Sequence, residues 1–387
     1  MTTLSSAESR SFDAIRVAST RLDDPELAAQ QLFRELDPPT LAGCVIFASS
    51  RYDLPALARA IALRSDDITV IGCTSSGEIT PEGFAEGTIT AIGFPRSDFT
   101  LSATRFEDLD HFDPADAQRK VRNLVADAVE RSGMWDAPPN RVALFLVDGL
   151  SHREEMLTIT VQDALGDIAL IGGSSGDGLA FRETFVFHEG HFHRDSAIVA
   201  ILSSRRPMRV FRSQYYAPGS VKMVVTDADP ANRIVKEINA EPAVDEYARL
   251  VGAATGDLGP AIFASRPPMV RAGGEYYVRS IQSANPDGSL TFYCAIDEGI
   301  VLTLGEAQDI VSGLEALFDG LDRDVGGIDR ILGFDCVLNS VEIAQRQLSR
   351  VVSGLFAERR VIGFNTYGEQ FHALHVNQTF SGLAIGR

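Results

Sequence analysis

The sequence predicts an α/β protein built from repeated β-α-β-β units, which form mixed sheets packed against helices. The main observation is the segment TVIGCTSSGEI at residues 69–79, where an apolar run ends in Gly and is followed by small polar residues and an acid. Related segments occur at residues 169–177 and 360–369. A strand-like run and a helix-like stretch precede each segment, so one structural unit occurs three times.

The elements of the unit follow in the same order in each copy. A short apolar strand is followed by an amphipathic helix, a strand that ends in Ile-Gly, and a later strand of alternating polarity. Strands joined by a helix within about 30 residues form a parallel β-α-β unit, and we expect the later strand to pair with it and keep one face in solvent. The predicted elements are residues 44–50, 54–63, 69–79 and 87–94, then 142–147, 156–165, 169–177 and 196–202, and then 331–338, 341–356, 360–369 and 377–385.

Other segments have their own local signals. A helix is predicted at residues 28–36, behind the start signal Asp23-Asp24-Pro25, and a strand, a turn and a helix are predicted in residues 232–252. The remaining predictions are a strand at residues 179–187 and a hairpin of residues 275–281 and 289–295 around Pro286-Asp287-Gly288. A change of composition near Pro218 predicts two domains, residues 1–218 and 219–387.

The composition excludes several classes of protein. The chain has 387 residues, 45 % of them hydrophobic, and a formal charge of −18. We expect no nucleic-acid binding, because that function needs clustered Lys and Arg to contact phosphates. The four cysteines are far apart and have neither a disulfide pattern nor zinc-binding spacing. Since no basic start leads into an apolar stretch and no apolar run is long enough for a bilayer, we expect a cytoplasmic protein without membrane insertion.

Residues 172–176, GGSSG, match the G-x-S-x-G pattern of a hydrolase nucleophile elbow. That elbow needs a helix after the Ser, whereas a strand is predicted at residues 179–187, and the third loop has no Ser. Phosphate binding is not indicated either, because no loop contains G-K-[ST]. A small-molecule hydrolase that uses this loop remains an alternative, but the sequence favours a protein that is not an enzyme.

The three loops are better suited to binding a small molecule. Small residues at strand ends let backbone N–H groups and hydroxyls approach a ligand, and each loop carries an acid that supplies an acceptor. We therefore predict a cavity at the C-terminal loops. The alternative is that the glycines only form turns and the acids only pair locally. The predicted ligand-binding residues are Ser174, Ser175, Asp177, Asn365, Tyr367 and Glu369.

The same residues resemble the FIST proteins of bacterial signal transduction. The first two loops and their flanking strands are similar to the N-terminal FIST region. Residues 224–226 and 232–247 are similar to the start of the C-terminal region, which ends in GFNTYGE at residues 363–369 and NQT at residues 377–379. The resemblance implies two FIST subdomains that bind a small ligand, with amino acids as suggested ligands. It also implies a partner, either a histidine kinase or a cyclic-di-nucleotide enzyme, and a homodimer is compatible with it.

One branch of this family consists of stand-alone chains of similar length that bind haem and sense nitric oxide for a histidine kinase. The ending TYGEQ and HVNQTF of this chain resembles that branch. The resemblance implies haem b as the cofactor and a gas as the ligand. Haem needs an axial ligand such as His in an apolar cavity, so the histidines provide a separate check.

Three of the seven histidines lie in residues 187–193, FHEGHFH. If residues 189–190 form a two-residue turn, His188 and His191 oppose each other in a hairpin, and His193 points to the same face. The arrangement predicts a transition-metal site or one haem ligand. We prefer His188 or His193 over His191, because the residue at the turn exit is expected to face solvent, and a solvated hairpin tip is the alternative. The next haem candidates are His372 and His375.

Overall fold

The computed structural model describes residues 13–387, and the repeated unit is larger there than the sequence predicts. Each unit begins with an extra strand and helix, and a short hairpin precedes its last strand. The third unit also carries a module, residues 216–307, after its first strand. The expectation of no targeting segment rests partly on residues 1–12, which lie outside the described residues.

Units one and two follow each other without a break. Unit one contains β1 (Arg16–Thr20), α1 (Pro25–Leu36), β2 (Leu41–Ser49), α2 (Leu54–Ala62), β3 (Thr69–Ser75), β4 (Glu78–Thr80), β5 (Gly83–Ala85) and β6 (Ile89–Pro95). Unit two contains β7 (Phe99–Glu107), α3 (Pro114–Ser132), β8 (Asn140–Val147), α4 (Glu154–Leu165), β9 (Ala169–Ser174), β10 (Val186–His188), β11 (His191–His193) and β12 (Ser196–Ser204).

Unit three is interrupted by the module. It begins with β13 (Met208–Gln214). The module contains β14 (Tyr216–Asp229), β15 (Ile234–Ile238), β16 (Glu241–Pro242), α5 (Ala243–Val251), α6 (Pro260–Ser265), β17 (Pro268–Ala272), β18 (Glu275–Val278), β19 (Ile281–Ala284), β20 (Leu290–Phe292) and β21 (Val301–Ala307). Unit three continues with α7 (Ile310–Val325), β22 (Ile328–Cys336), α8 (Val337–Gln345), α9 (Ser349–Glu358), β23 (Val361–Thr366), β24 (Glu369–Phe371), β25 (Leu374–Val376) and β26 (Thr379–Gly386).

Local sequence explains where several helices begin. Asp24 caps α1 by accepting a hydrogen bond from the backbone N–H of Leu27 at 2.9 Å, and Pro25 follows as the first helical residue. The predicted helix at residues 28–36 is therefore confirmed and starts three residues earlier. The helix predicted at residues 341–356 is instead two helices, because the chain turns at Gln347, whose φ is 58°.

Three of the four sheets have the same strand order, which confirms the predicted repeat of parallel β-α-β units. The orders are β1-β6-β2-β3-β10-β11, β7-β12-β8-β9-β24-β25 and β13-β26-β22-β23-β4-β5. The central pairs β2/β3, β8/β9 and β22/β23 are parallel. The hairpin at the edge of each sheet comes from a different unit, so the units exchange hairpins in a closed cycle.

The three sheets face one central apolar core, and helices cover their outer faces. The central core includes residues from β2, β8 and β22, while separate apolar clusters lie under α1 and α2, under α3 and α4, and under α7 to α9. The strands β6, β12 and β26 are buried along their whole length. The prediction that these strands keep one face in solvent is therefore wrong, because core and helices cover both faces.

The Ile-Gly step of each repeat has a packing reason. A Cβ atom added at Gly72, Gly172 or Gly363 would collide with a backbone carbonyl oxygen of the neighbouring parallel strand. Glycine is therefore needed where the two strands approach most closely. This requirement explains why the same dipeptide occurs in all three units.

The module has its own sheet and its own apolar core. The strand and the helix predicted in residues 232–252 are confirmed as β15 and α5. The turn predicted at residues 241–242 lies instead at Asn239 and Ala240, whose φ angles are positive, and residues 241–242 form β16. The predicted hairpin is confirmed for β19 and β20, but residues 275–278 form β18, which pairs with β17 instead. Pro218 lies within β14, and the two-domain division stays a prediction.

Candidate functional site

The loops after β3, β9 and β23 meet at one end of the central core. Each loop donates one backbone N–H to a carbonyl oxygen of another unit: Ser76 N to Asn365 O at 3.0 Å, Gly176 N to Thr74 O at 3.1 Å, and Tyr367 N to Ser174 O at 3.2 Å. These bonds form a cycle through all three units. The three loops singled out in the sequence are thus neighbours in space.

Two of the three loop acids fold back onto their own units. Glu369 accepts hydrogen bonds from the side chain of Thr366 and from the backbone and hydroxyl of Thr379, at 3.3 and 2.5 Å. Glu78 makes the corresponding bonds with Ser75 and Thr88. Burial raises the pKa of both carboxyl groups, although these hydrogen bonds oppose the change.

Asp177, the acid of unit two, behaves differently. Its loop is one residue shorter than the other two, counted from the strand glycine to the acid. Its carboxylate accepts hydrogen bonds from the Tyr367 hydroxyl and from the backbone N–H groups of residues 181–183, at 2.8 to 3.1 Å. Burial opposes ionisation, but these hydrogen bonds lower the pKa of Asp177. The ionised side chain thereby holds residues 177–185 as an irregular loop, and the strand predicted from residue 179 starts only at Val186.

One cleft beside this loop has a volume of about 480 Å³, and we call it the serine cleft. The hydroxyl of Ser76 has no hydrogen-bond partner within residues 13–387, whereas the hydroxyl of Ser340 donates to Val337 O at 2.8 Å. Arg51 and Glu86 add one charge of each sign. The serine cleft is lined by residues 49–51, 75–78, 86–87 and 177–180 and by Val337, Ser340, Val341 and Ala344 of α8.

A second cleft lies on the other side of the loop and has a volume of about 810 Å³. We call it the hairpin cleft, because β11 forms part of its wall. It shares Ser50, Asp177 and Ala180 with the serine cleft, so residues 177–180 separate the two spaces. The hairpin cleft is lined by Ser50, residues 52–55, Ala58, Arg59, Asp177, Ala180, Arg182, Glu183, Phe185 and residues 190–192.

The predicted histidine hairpin is confirmed. Glu189 and Gly190 form the turn with positive φ angles, and His188 pairs with His191 across β10 and β11. His188 is buried, whereas His191 is exposed and lines the hairpin cleft. His193 hydrogen-bonds through Nε2 to His188 O at 3.1 Å.

The transition-metal interpretation of this hairpin stays a prediction. In residues 13–387, no group of three or more His, Cys, Asp or Glu side chains is arranged to hold a metal ion. The His191 and His193 rings are 6.1 Å apart and tilted by 50°. One ring nitrogen of each already bonds to a backbone carbonyl, which leaves fewer nitrogens to converge on a metal.

The module packs against the N-terminal end of α4. Arg233 is buried there and donates to Glu154 at 2.5 Å and to Glu155 at 2.7 Å. The ring of Phe181 lies 5.6 Å from that of Tyr293 of the module and 4.7 Å from that of Tyr367. The loop of residues 177–185 therefore contacts both the clefts and the module.

The predicted ligand-binding residues are brought together, but they occupy different surroundings. Asp177 lines both clefts, while the other five are buried and line neither cleft formed by residues 13–387. Their hydroxyl and amide groups bond within the protein; Ser175, for example, accepts from Gly149 N at 3.2 Å. These five residues are Ser174, Ser175, Asn365, Tyr367 and Glu369. A direct ligand contact for them stays a prediction.

Sequence reasoning missed Ser76 and Arg51 in the serine cleft. A usable signal was present, because Ser49-Ser50 and Ser75-Ser76 end the two parallel strands of unit one. The side chains at the carboxyl ends of adjacent parallel strands lie at one edge of the sheet, where α/β proteins commonly bind ligands. The contribution of α8 had no such signal, because it depends on the packing of unit three against unit one.

The fold and these clefts define an α/β protein of three similar units with two clefts beside the loops at one end of its core. Comparison with family models finds a FIST N domain at residues 42–241 and a FIST C domain at residues 243–372. The chain belongs to the FIST family, whose domains are small-ligand sensing domains in signal transduction.

Other comparisons add little. No curated protein matches the chain. Among solved structures, it is similar to a cyanuric acid hydrolase with 10 % sequence identity and a TM-score of 0.34, over 96 % of this chain and 99 % of that one. A similarity this weak carries no argument. Among the helices in residues 13–387, none is long and apolar enough to cross a membrane.

Proposed function

We propose that this protein is a non-enzymatic sensor that binds a small polar ligand in the serine cleft, and that a partner signalling protein responds to the bound state. The observation that carries the proposal is the different role of one loop acid. Glu78 and Glu369 fold back onto their own units, whereas Asp177 holds residues 177–185 between two clefts. Both cleft volumes lie within the range of about 300–1,000 Å³ that is common for small-molecule sites.

The groups in the serine cleft favour a ligand that carries both charges. Arg51 and Glu86 are exposed at the cleft, and the hydroxyl of Ser76, although buried, has no hydrogen-bond partner in residues 13–387. A molecule with a carboxylate and an ammonium group, as in an amino acid, would pair with all three side chains. A histidine kinase or a cyclic-di-nucleotide enzyme is the partner that we propose from the place of the family in signal transduction.

The replacement Ser76→Ala tests this site. We expect ligand affinity to fall about 3- to 10-fold, because one neutral hydrogen bond contributes about 0.5–1.5 kcal/mol. Calorimetric titration with each of the twenty L-amino acids is the measurement. The matched control is Ser340→Ala, which removes a hydroxyl that lines the same cleft but already bonds to Val337 O. Equal losses in both variants, or no binding of any amino acid by the wild type, would contradict the proposal.

A hydrolase function has less support. Ser174 is fully buried, and its hydroxyl accepts a hydrogen bond from Gln370 Nε2 at 2.9 Å. An irregular loop follows it, so the strand-to-helix turn of a nucleophile elbow is missing between residues 174 and 186. Ser174 lines neither cleft, so its bonded hydroxyl does not face a substrate in them.

Haem-based sensing of nitric oxide is a second candidate, and one observation favours it. His191 lines the hairpin cleft, whose other walls include Leu54, Phe185 and Phe192. Arg59 and Arg182 line the same cleft and could pair with the propionates of a haem. These residues fit the group, and bound haem would supply the iron at which nitric oxide coordinates. His191 is therefore the axial ligand that we propose, ahead of the buried His188 and of His193.

Optical spectra test the haem candidate. The replacement His191→Ala is expected to remove or shift the Soret band of protein that was expressed with haem supply, because the axial ligand is lost. His188→Ala is the matched control on the opposite strand of the hairpin and is expected to leave the band unchanged, because His188 is buried. A wild type without a Soret band, or a His191→Ala protein with the wild-type ferrous and nitrosyl bands, would exclude this assignment.

A further inference from the structure

The hairpin of β24 and β25 differs from its two sister hairpins at one buried position. In each hairpin, one cross-strand pair lies next to the glycine of an Ile-Gly step: Ile79 with Phe84 beside Gly363, Phe187 with Phe192 beside Gly72, and Gln370 with His375 beside Gly172. The first two pairs are apolar and pack into the clusters under the helices. The third pair is polar, although Gln370 is 0 % and His375 only 4 % exposed.

The polar groups at this position are not all used within the protein. Gln370 Nε2 donates to Ser174 Oγ at 2.9 Å and contacts His375 Nδ1 at 3.1 Å. Gln370 Oε1, His375 Nε2 and Asn377 Nδ2 have no hydrogen-bond partner in the described chain. Buried polar atoms are nearly always bonded to protein or to an ordered small molecule, so unbonded atoms on three neighbouring side chains indicate something that binds there.

The unused atoms form a consistent pattern of donors and acceptors. Because Gln370 Nε2 donates to His375 Nδ1, the proton of a neutral ring lies on Nε2, which is then a donor. The side chain of Asn377 accepts from Ser280 N at 3.4 Å and keeps its amide Nδ2 as a second donor. Both nitrogens lie against Gly368, since a Cβ atom there would be 2.8 Å from His375 Nε2 and 2.9 Å from Asn377 Nδ2. Gln370 Oε1 remains as the acceptor.

The charges around the pair favour an uncharged ligand. Glu154 and Glu155 bond to Arg233, and Arg279 donates to His375 O at 3.4 Å. Two acids and two arginines leave no net charge at this place. Burial lowers the pKa of His375, which keeps its ring neutral at neutral pH.

We propose that Gln370, His375 and Asn377 form a closed binding site for a small uncharged ligand, which accepts hydrogen bonds from His375 Nε2 and Asn377 Nδ2. The site lies where unit two, the hairpin of unit three and the module meet, and it is separate from the serine cleft. An ordered water molecule and a small primary amide have this chemistry in common.

A crystal structure of the full-length protein as purified, at a resolution that shows water molecules, tests the site together with native mass spectrometry. We expect non-protein density within hydrogen-bond distance of at least two of the three atoms. Density of one atom without a mass adduct identifies water, and extended density with an adduct identifies an amide; both support the site. A site without density, or side chains that turn to protein partners, would overturn the proposal.

The double replacement Gln370→Ile with His375→Phe is the matched variant, because it carries the pair of unit one. We expect the density to be lost while the circular dichroism spectrum stays that of the wild type. If this variant does not fold, Asn377→Leu removes one donor alone and is expected to lose or displace the density. Unchanged density in whichever variant folds would refute the assignment.

Discussion

The carboxyl group of Glu369 is buried without a positive charge beside it. Its partners are the hydroxyl groups of Thr366 and Thr379 and one backbone N–H. Burial raises the pKa of Glu369 well above its ordinary value, and these hydrogen bonds only partly offset the change. The folded protein therefore prefers the protonated acid more than the unfolded chain does.

Because of this preference, the contribution of Glu369 to the free energy of unfolding depends on pH. A raised folded pKa contributes stability below the unfolded pKa of about 4.5, and that contribution is lost as pH rises through the folded value. Glu369→Gln mimics the protonated acid, so we expect the wild type to lose stability relative to the variant as pH increases. The difference amounts to about 1.4 kcal/mol for each unit by which the pKa is raised. Urea unfolding between pH 4 and pH 8 measures it.

Asp177→Asn is the control with the opposite sign. Hydrogen bonds lower the pKa of Asp177, so its contribution is present at neutral pH and is lost as pH falls through the folded value. The stability of the wild type relative to this variant should therefore increase with pH. If both variants showed the same trend, the assignment of the two carboxyl groups would be incorrect.

The sequence identified the loops of the site but not the groups that line its clefts. The loops could be recognised because Gly, Ser and an acid recur at the same strand ends. Glu369 turns inward because it bonds to hydroxyl groups such as that of Thr379. Asp177 is placed differently because it bonds to Tyr367, which is distant in sequence. The local sequence pattern therefore predicts where the loops of the site lie, whereas tertiary contacts decide the role of each side chain.

At the scale of elements, the β-α-β cores were predictable, whereas of the exchanged hairpins only that of β10 and β11 was, and its pairing with another unit was not. Apolar strands and amphipathic helices give clear periodic signals, as in β2 and α2. The hairpins consist of strands of three residues, which are too short to show alternation. Their partners lie in other units, so no local signal could reveal that β4 pairs with β23.

The strand glycines lead to a prediction about these elements. Gly172→Ala is expected to destabilise the protein by at least about 2 kcal/mol, because the new Cβ atom would collide with the carbonyl oxygen of Phe145 and force β8 and β9 apart. The shift of the urea unfolding midpoint measures the loss.

A helical glycine in open space provides the control. Gly354 lies in α9, and a Cβ atom there would have no neighbour within 4 Å in residues 13–387. Gly354→Ala should therefore stabilise the protein by about 0.5–1 kcal/mol, since alanine has the better helix propensity. A loss of stability at Gly354 as large as that at Gly172 would show that strand spacing is not the cause.

At the scale of the whole molecule, a buried ionic cluster joins the three units. Arg206 is 1 % exposed and donates to Asp98 and to Asp329, both at 2.8 Å. It also donates to the backbone carbonyl of Asp13 and lies 5.2 Å from the centre of the Phe99 ring. Asp13 precedes unit one, Asp98 precedes β7 of unit two and Asp329 belongs to β22 of unit three. One side chain therefore connects segments that are up to about 300 residues apart in sequence.

Sequence reasoning could not find this cluster, because Arg206, Asp98 and Asp329 have no common motif. A buried ion pair gains little over an apolar replacement of both partners, but removing one partner alone leaves the other charge buried and unpaired. The effect of a single substitution is therefore large. Arg206→Met should cost about 3–5 kcal/mol of unfolding free energy, because it leaves the carboxylates of Asp98 and Asp329 without their bond to Arg206.

The neighbouring Arg205 supplies the control for Arg206→Met, since its side chain is 27 % exposed and its partner Asp136, 3.8 Å away, is 77 % exposed. Arg205→Met is expected to cost less than about 1 kcal/mol. Urea unfolding of both variants, followed by circular dichroism, measures the difference.

Adding Asp98→Asn and Asp329→Asn to Arg206→Met should restore part of the lost stability, because the unpaired charges are then removed. Equal effects of Arg205→Met and Arg206→Met, or no recovery in the triple variant, would mean that this ionic cluster does not hold the units together.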